Sequence, residues 1–220
     1  MTEALVRAAA PDSELVIPPG STITPLAREV AHQRGVRFVT GRSAEPLGPA
    51  RPGGVARARR IAVASDHGGF ALKDELVPLL RELGQRPVDL GPADGGTSVD
   101  YPDFAARVAR EVSEGRADLG IVVDGAGIGS AMVANKFPGV LAANCWDERT
   151  ARNAREHNHA NVLTLGSGHL DLAAARAVIA AFLATPHGDG RHARRAALAS
   201  HYESENLRAR TLARTYDEER

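Results

Sequence analysis

Short apolar segments alternate with amphipathic ones along most of this chain, and this alternation constrains the fold more than any other feature. Five segments are strand-like: Ile61–Ala64, Pro87–Leu90, Leu119–Val123, Val140–Cys145 and Asn161–Leu165. The predicted helices lie between and after them: Phe70–Leu83, Tyr101–Val112, a helix after the glycines at 125–129 that runs to about Lys136, Glu148–Glu156, Leu172–Leu183, and Arg191 to about Leu212. Apolar strands separated by helices indicate a parallel, doubly wound α/β sheet.

The bulk composition narrows the classes of protein that need to be considered. A length of 220 residues allows one α/β domain and a small appendage. Basic and acidic residues number 27 each, so no nucleic-acid partner is expected, although arginines accumulate near the C-terminus. No apolar run could cross a bilayer, residues 1–14 show no signal-peptide pattern, and the single Cys145 agrees with a reducing compartment. A cytoplasmic protein without a membrane contact is expected.

A segment rich in Gly, Pro, Ala and Arg, residues 41–59, is predicted to be a linker because it lacks apolar periodicity. It divides an N-terminal appendage, residues 1–40, from the main domain, residues 60–220, which includes the C-terminal helix.

The appendage has elements of its own. Glu14–Ile17 is strand-like, and Thr24 can cap a helix that begins with Pro25. Gly35 can end this helix before a second strand, Val36–Val39. A unit of this size cannot bury enough surface to be stable alone, so we expect either that it docks on a partner or that it is a disordered extension.

The most informative motif directly follows the central strand. Asp124 is succeeded by glycines at alternate positions, Gly125, Gly127 and Gly129. Glycine permits close backbone approach and unusual dihedral angles. The carboxyl ends of parallel strands border the crevice in which open α/β sheets bind ligands. The motif therefore indicates a small-molecule site.

Asp124 itself has three possible roles. As a base it could remove a proton from a carbon next to a carbonyl, while the amides of Gly127, Ile128 and Gly129 hold the developing oxyanion. As a structural residue it could cap the following helix. As part of a dinucleotide fingerprint it would need a glycine at the position of Ser130, and the motif would follow the first strand rather than the third.

Two further segments carry titratable groups. Asp66 and His67 follow the first strand and precede a helix, which suits acid–base chemistry but also a helix cap beside a surface histidine. His157 and His159 lie between a helix end and the next strand, where they could bind a metal or favour the helix dipole. The arginines after residue 190 suit a phosphate, or form a solvated helix face.

From Arg60 to about Ser200 the chain resembles the ribose-5-phosphate isomerase type B family, which includes the galactose-6-phosphate isomerase subunits. The resemblance rests on five ordered segments: Ala64–Phe70 with Lys73; Asp100-Tyr101-Pro102; Gly125–Gly129 with Ala134-Asn135-Lys136; His157-Asn158 with Asn161-Val162-Leu163; and Gly190-Arg191-His192 with Arg195. It implies a Rossmann-like α/β domain and at least a homodimer, or a tetramer, with active sites shared between subunits. It also implies aldose–ketose isomerisation of a phosphorylated sugar through a cis-enediol, without a metal or other cofactor.

The resemblance assigns roles to individual residues. Asp66 and His67 match the Asp-His pair that contacts substrate, and the glycine loop matches the segment whose amides stabilise the enediolate. His157 matches the histidine that aids ring opening, and Asn158 matches its substrate-binding neighbour. The phosphate ligands correspond to Arg191 and Arg195.

The glycine loop also departs from the family pattern. Many members have a cysteine base where this chain has Asp124, and Thr or Ser where it has Ala126; another branch uses a glutamate at the position of Ser130. Asp124 is the only ionisable group of this loop, so we assign it the role of base as a hypothesis. Both replacements suggest a shorter or differently configured sugar phosphate, or a binding protein without catalysis.

The appendage lies outside the resemblance to the isomerases. Leu15–Val39 is similar to short segments on some enzymes of bacterial microcompartments. Encapsulation, or docking on a shell or enzyme partner, is therefore expected for residues 14–40.

Overall fold

The computed structural model of the chain describes Val6 and residues 13–17, 23–40 and 58–218. The chain forms two compact units, residues 1–52 and 53–220. Most of the predicted linker lies outside the described residues.

The N-terminal unit contains a parallel strand pair joined by a helix. The strands β1 (Glu14–Ile17) and β2 (Arg37–Thr40) pair in parallel, and α1 (Pro25–Gln33) connects them. The Ala27 amide donates to Thr24 Oγ1 at 3.3 Å, so Thr24 caps α1 as predicted. The apolar core of this unit is small and consists of Val6, Ala27, Val30, Ala31 and Val36, flanked by Leu15, Ile23 and Phe38.

The second unit is a five-stranded parallel sheet with helices on both faces. Its elements are β3 (Arg60–Ser65), α2 (Phe70–Glu82), β4 (Arg86–Asp89), α3 (Tyr101–Ser113), β5 (Leu119–Asp124), α4 (Ile128–Ala134), β6 (Ala142–Asn144), α5 (Glu148–Asn158), β7 (Val162–Gly166), α6 (Leu172–Ala184) and α7 (Arg191–Glu218). The strand order is β4-β3-β5-β7-β6. The predicted doubly wound α/β fold is confirmed. Among the described residues, no helix has the length and apolarity that crossing a bilayer demands.

Two apolar cores lie on opposite faces of the sheet. One joins the strands to α2, α5 and α6, through residues such as Leu76, Ile179 and Phe182. The other joins them to α3 and α4 through Phe104 and Ala134. Each core covers one face of the sheet, so the central strands are buried on both faces. This explains why β5 is apolar along most of its length.

Three element boundaries near the site differ from those predicted from the sequence. The helix after the glycines ends at Ala134 rather than Lys136, because the Asn135 side chain bonds both the amide (2.8 Å) and the carbonyl (2.9 Å) of Ala142. β6 covers only Ala142–Asn144. Helix α5 continues past Glu156 to Asn158, so His157 and Asn158 lie in its last turn and not in the following loop.

Candidate active site

The carboxyl ends of β3, β5 and β7 meet at one edge of the sheet. The registers pair Ser65 with Val123 and Asp124 with Gly166. The Asp66 amide donates to the Val123 carbonyl at 3.1 Å, and the Ser167 amide donates to the Asp124 carbonyl at 2.8 Å. Asp66, after β3, and Asp124, at the end of β5, therefore lie at the same crevice.

Asp66 and His67 keep part of their hydrogen-bonding capacity free. Asp66 Oδ1 accepts the Gly69 amide at 2.7 Å, while no described residue bonds its Oδ2. His67 is exposed, and its Nδ1 lies 3.2 Å from the carbonyl and 3.3 Å from the amide of Val99. The tautomer decides which of these two groups it bonds, and Nε2 stays open to a ligand. Gly69, and not Asp66, is the N-cap residue of α2, and the Gly69 contact uses only one Asp66 oxygen.

Asp124 is buried and its carboxylate is surrounded by hydrogen-bond donors of its own loop. Oδ1 accepts the amides of Ala126 (2.8 Å) and Gly127, and Oδ2 accepts the amide (3.1 Å) and the hydroxyl of Ser130. A carboxylate has about four lone-pair positions, and these donors use all of them. Gly127 is the N-cap of α4 and Ser130 lies in its first turn, so the Asp124 carboxylate binds the start of α4 although Asp124 is not its N-cap residue.

The turn around Gly127 requires glycine. Its φ is +76°, and a Cβ there would strike the Asn144 amide and lie 2.9 Å from the Leu165 carbonyl carbon. Thr164 Oγ1 donates to the Gly127 carbonyl at 2.6 Å, which fastens the turn to β7. The loop is thus fixed from its own strand and from the neighbouring one.

The amides left for a ligand are those of Ile128 and Gly129. No hydrogen bond within the described part of the chain uses either of them. The Gly127 amide, which we expected to hold an oxyanion, is already donated to Asp124. The Tyr101 ring lies over Gly129, and a Cβ on Gly129 would approach this ring to 2.7 Å. Two open amides and a phenol therefore border one small space.

A second group of predicted site residues lies at the other end of the sheet. His157 and His192 stack with ring centroids 4.1 Å apart, and His157 Nδ1 lies 3.0 Å from Asn153 Nδ2. His157, Asn158 and Arg195 line a cavity of about 220 Å³. Slight burial, together with the positive charge of His157 and Arg191, lowers the pKa of His192.

One chain does not bring the two groups together. The Gly120 amide donates to the Asn161 carbonyl, so the chain after α5 enters β7 beside the start of β5. A rise of about 3.3 Å per residue separates the two ends of β7 by about 13 Å. We call Asp66, His67, Asp124 and residues 125–129 the carboxyl-edge group. The residues His157, Asn158, Arg191, His192 and Arg195 form the amino-edge group.

Sequence reasoning missed residues that support the glycine loop. Ser167 Oγ lies 3.1 Å from both the Gly68 and the Asp124 carbonyls and links the two acidic strand ends. Asn144 Nδ2 donates to the Ala126 carbonyl at 3.3 Å. Both residues stand at or just beyond the carboxyl end of a strand, so the rule that singled out Asp66 and Asp124 could have found them as well.

The lone cysteine and the histidines give no sign of metal chemistry in the part of the chain that is described. Burial raises the pKa of the Cys145 thiol to about 11, which keeps it protonated at neutral pH. Cys145 borders a cavity of about 270 Å³ beside Ala126 and Trp146. No group of three or more His, Cys, Asp or Glu side chains among these residues is arranged to hold a metal ion.

Comparison with known proteins decides the family. The model of the Ribose/Galactose Isomerase family matches residues 61–198. The chain belongs to this family. Ribose-5-phosphate isomerase B of Escherichia coli is 39% identical over 137 residues, which are 62% of this chain and 91% of the relative.

Solved structures of this isomerase family share the fold. The type B ribose 5-phosphate isomerase of Trypanosoma brucei is 44% identical with a TM-score of 0.64, over 66% of this chain and 99% of that one. Ribose-5-phosphate isomerase B of Mycoplasma genitalium, solved with bound ribulose-5-phosphate, is 41% identical with a TM-score of 0.64, over 66% and 97%. The residues that the family model matches, 61–198, lie within the second unit.

Proposed function

We propose that this protein interconverts an aldose phosphate and a ketose phosphate through a cis-enediol, without a metal. Ribose 5-phosphate and ribulose 5-phosphate, or a shorter or differently configured sugar phosphate, are the substrates that family membership favours. The observation that carries the proposal is the pair of open amides, Ile128 and Gly129, beside the acidic residues of the carboxyl edge. Such fixed donors stabilise the negative oxygen of an enediolate.

The chemistry needs one base and a path for one proton. The proton on C2 of the aldose moves to the base and returns to C1, while the oxygen on C1 gains a proton and the oxygen on C2 loses one. Asp66 and His67 contact the sugar hydroxyls in this scheme. His157 opens the sugar ring, Asn158 binds beside it, and Arg191 and Arg195 hold the phosphate by charge-assisted hydrogen bonds.

Asp124 is the proposed base, and its environment sets a condition on that role. Three of its four donors are backbone amides, which cannot turn away. The fourth is the Ser130 hydroxyl, which can rotate about its Cα–Cβ bond. Rotation of Ser130 therefore frees a lone pair on Oδ2, and this oxygen then accepts the proton from C2.

Two copies of the chain are needed to complete the site. The carboxyl-edge group holds the enediolate donors, whereas the ring-opening histidine and the phosphate arginines lie in the amino-edge group, about 13 Å away along the strand direction. A homodimer that places the amino-edge group of one copy over the carboxyl edge of the other forms two complete sites. Two such dimers could pair as a tetramer without changing this argument.

A second function, sugar-phosphate binding without catalysis, is favoured by one observation. The Asp124 carboxylate already has a full set of donors, as expected for a residue that only anchors the loop. In that case Arg191, Arg195 and the loop amides bind a sugar phosphate, but no proton leaves carbon.

Proton exchange with solvent separates the two functions. The protein is incubated in deuterated water with tetrose, pentose and hexose phosphates, and C1 and C2 are followed by proton NMR. If the protein is an isomerase, deuterium is incorporated at C1 or C2. The Asp124→Asn variant should then show no incorporation, and the Ser130→Ala variant should still show it. Binding of a sugar phosphate without exchange on any substrate would instead establish the binding protein.

We also propose that the N-terminal unit docks the enzyme on a microcompartment shell or an encapsulated partner. Its support is the similarity of Leu15–Val39 to segments on such enzymes, together with a core of only a few buried side chains. Deletion of residues 1–50 should leave isomerase activity intact and abolish co-sedimentation with shells. Retention of co-sedimentation by the deleted protein would refute the docking role.

A further inference from the structure

Four basic side chains that belong to neither group of the proposed active site lie beside the amino-edge group. They come from three places in the fold: Arg59 just before β3, Arg155 and His159 at the end of α5, and His187 in the loop between α6 and α7. The His159 and His187 rings stack with centroids 4.2 Å apart. The positive charges of Arg155 and Arg59 both lower the pKa of His187.

Arg155 is the most unusual member because its guanidinium is buried and incompletely bonded. Only 2% of the residue is exposed. Its Nη1 donates to the Ala160 carbonyl at 2.5 Å, and its planar group lies 5.2 Å from the Phe182 ring centre. Its Nε has no hydrogen-bond partner among the residues that the structure describes. Burial and the charge of Arg59 lower the pKa of Arg155 to about 10, so the group is still charged at neutral pH.

No described carboxylate neutralises this charge. Arg59 Nη1 donates to the Leu183 carbonyl at 3.1 Å, and neither Arg59 nor Arg155 belongs to an ion pair within the described residues. A buried charge without a partner is strongly unfavourable, and it is normally compensated by an opposite charge. An anion from outside the described residues would therefore stabilise this charge.

We propose that Arg59, Arg155 and His187 bind a small oxyanion, either free phosphate or the phosphate group of a metabolite. Guanidinium groups bind such oxygens in pairs of short, charge-assisted hydrogen bonds. The Nε of Arg155 supplies a donor that no described residue accepts. His187 contributes a further donor when it is protonated.

The residues of this anion site differ from the phosphate ligands of the proposed sugar site, although Gly188, next to His187, lies against His192. The charges acting on His187 come from Arg155, His159 and Arg59, whereas those acting on His192 come from His157, Arg191, Glu156 and Arg195. The two sets share no member. The inference therefore does not depend on the proposed isomerase activity.

The position of the site links it to the segment before α7. The Gly188 amide donates to the Glu156 carbonyl at 2.9 Å, and His159 Nε2 lies 2.9 Å from the Gly188 carbonyl. An anion bound by His187 and Arg155 adds a further connection between this segment and α5. Occupancy should therefore stabilise the start of α7, where Arg191 lies.

The test measures thermal stability against inorganic phosphate in an Arg195→Gln background, which weakens the sugar-phosphate site. At phosphate ten times above its dissociation constant we expect the Tm to rise by about 3–5 °C. Adding Arg59→Gln should remove most of this rise. Arg60→Gln is the matched control, because it deletes the same charge one residue away and should leave the rise unchanged.

The second arm of the experiment replaces phosphate with ribose 5-phosphate at equal concentration. A rise with either ligand that Arg59→Gln removes supports the site, and the relative size of the two rises identifies the preferred source of the oxyanion. The same rise in Arg59→Gln and Arg60→Gln would overturn the proposal. Far-UV circular dichroism of both variants without phosphate verifies that they are folded before the titration.

Discussion

The two groups of site residues are built in contrasting ways. At the carboxyl edge, a buried carboxylate, backbone amides and a glycine with positive φ fix one another, and few side-chain torsions are free. At the amino edge, exposed or half-exposed histidines and arginines lie on helices and are held mainly by ring stacking. The first group is preorganised within one chain, whereas the second, in the proposed dimer, acts on the carboxyl edge of a partner copy.

Among the changes that we predict, Asp124→Asn at the carboxyl edge should have the largest effect on activity. An amide places two hydrogens where the loop already presents donors, so it breaks contacts with Ser130 and removes the proposed base. Loss of a general base costs on the order of 10²–10⁴-fold in rate. Leaving buried donors unpaired costs roughly 1–3 kcal/mol in the free energy of unfolding. Steady-state kinetics and urea denaturation measure the two effects.

The kinetic and stability measurements on Asp124→Asn also show whether Asp124 acts as the base or only anchors the loop. If Asp124 only anchors the loop, the wild type already lacks proton exchange and the substitution changes stability alone. A large fall in stability together with normal exchange would contradict both roles as proposed here.

Mixing two inactive variants tests whether the edges belong to different copies. Asp124→Asn damages the carboxyl edge and His157→Ala damages the amino edge, so each homodimer lacks every complete site. Random reassembly of equal amounts should restore about a quarter of wild-type activity, because half of the dimers are mixed and each has one intact site. Activity is assayed after unfolding and refolding the mixture together.

The control is the same mixture prepared without unfolding, which should remain inactive if subunits exchange slowly. No recovery after correct reassembly, verified by native mass spectrometry of differently tagged chains, would show that each site is complete within one chain. That outcome would conflict with the separation of the two groups along β7.

Gly127→Ala should damage the carboxyl edge without removing a functional group. The new Cβ meets the Asn144 amide and the β7 backbone, and the positive φ adds strain. We expect a loss of about 1–3 kcal/mol in the free energy of unfolding, measured by urea denaturation. Gly125→Ala is the matched control, since a Cβ there meets nothing within 4 Å, and it should lose much less stability.

The contrast between the edges also explains what the sequence could predict. Apolar strands separated by helices indicated all five strands of the sheet, because burial on both faces leaves a clear pattern, as in Leu119–Asp124. The sequence could not predict that the Asp124 carboxylate already accepts four hydrogen bonds. This bonding depends on the path of residues 126–130 in space, where the Ser130 hydroxyl turns back to the carboxylate.

The amino edge was harder to predict for a different reason. Helix α5 was expected to stop at Glu156, but it extends to Asn158 and ends with His159 in the left-handed region at φ 57°. A residue other than glycine in that conformation gives no strong local signal. The stacking of His157 on His192 joins residues far apart in sequence, so no spacing rule would have revealed it.

Acid should also destabilise the folded protein through His187, which stacks on His159 next to the amino-edge group. Burial, together with Arg155 and His159, lowers the pKa of His187 from 6.5 to about 4 in the folded protein. The unfolded chain therefore binds more protons between these two values. The contribution of His187 to stability is complete above pH 6.5, falls as the pH drops towards 4, and changes no further below it.

Urea denaturation at intervals between pH 7 and pH 4 measures this dependence, and His187→Asn should make the slope shallower. His32→Asn is the control, because His32 is exposed on α1 in the other unit and its loss should leave the slope unchanged. Bound phosphate should also reduce the slope by favouring protonated His187 in the folded state. An identical slope for His187→Asn and the wild type would show that His187 does not make the stability of the protein sensitive to acid.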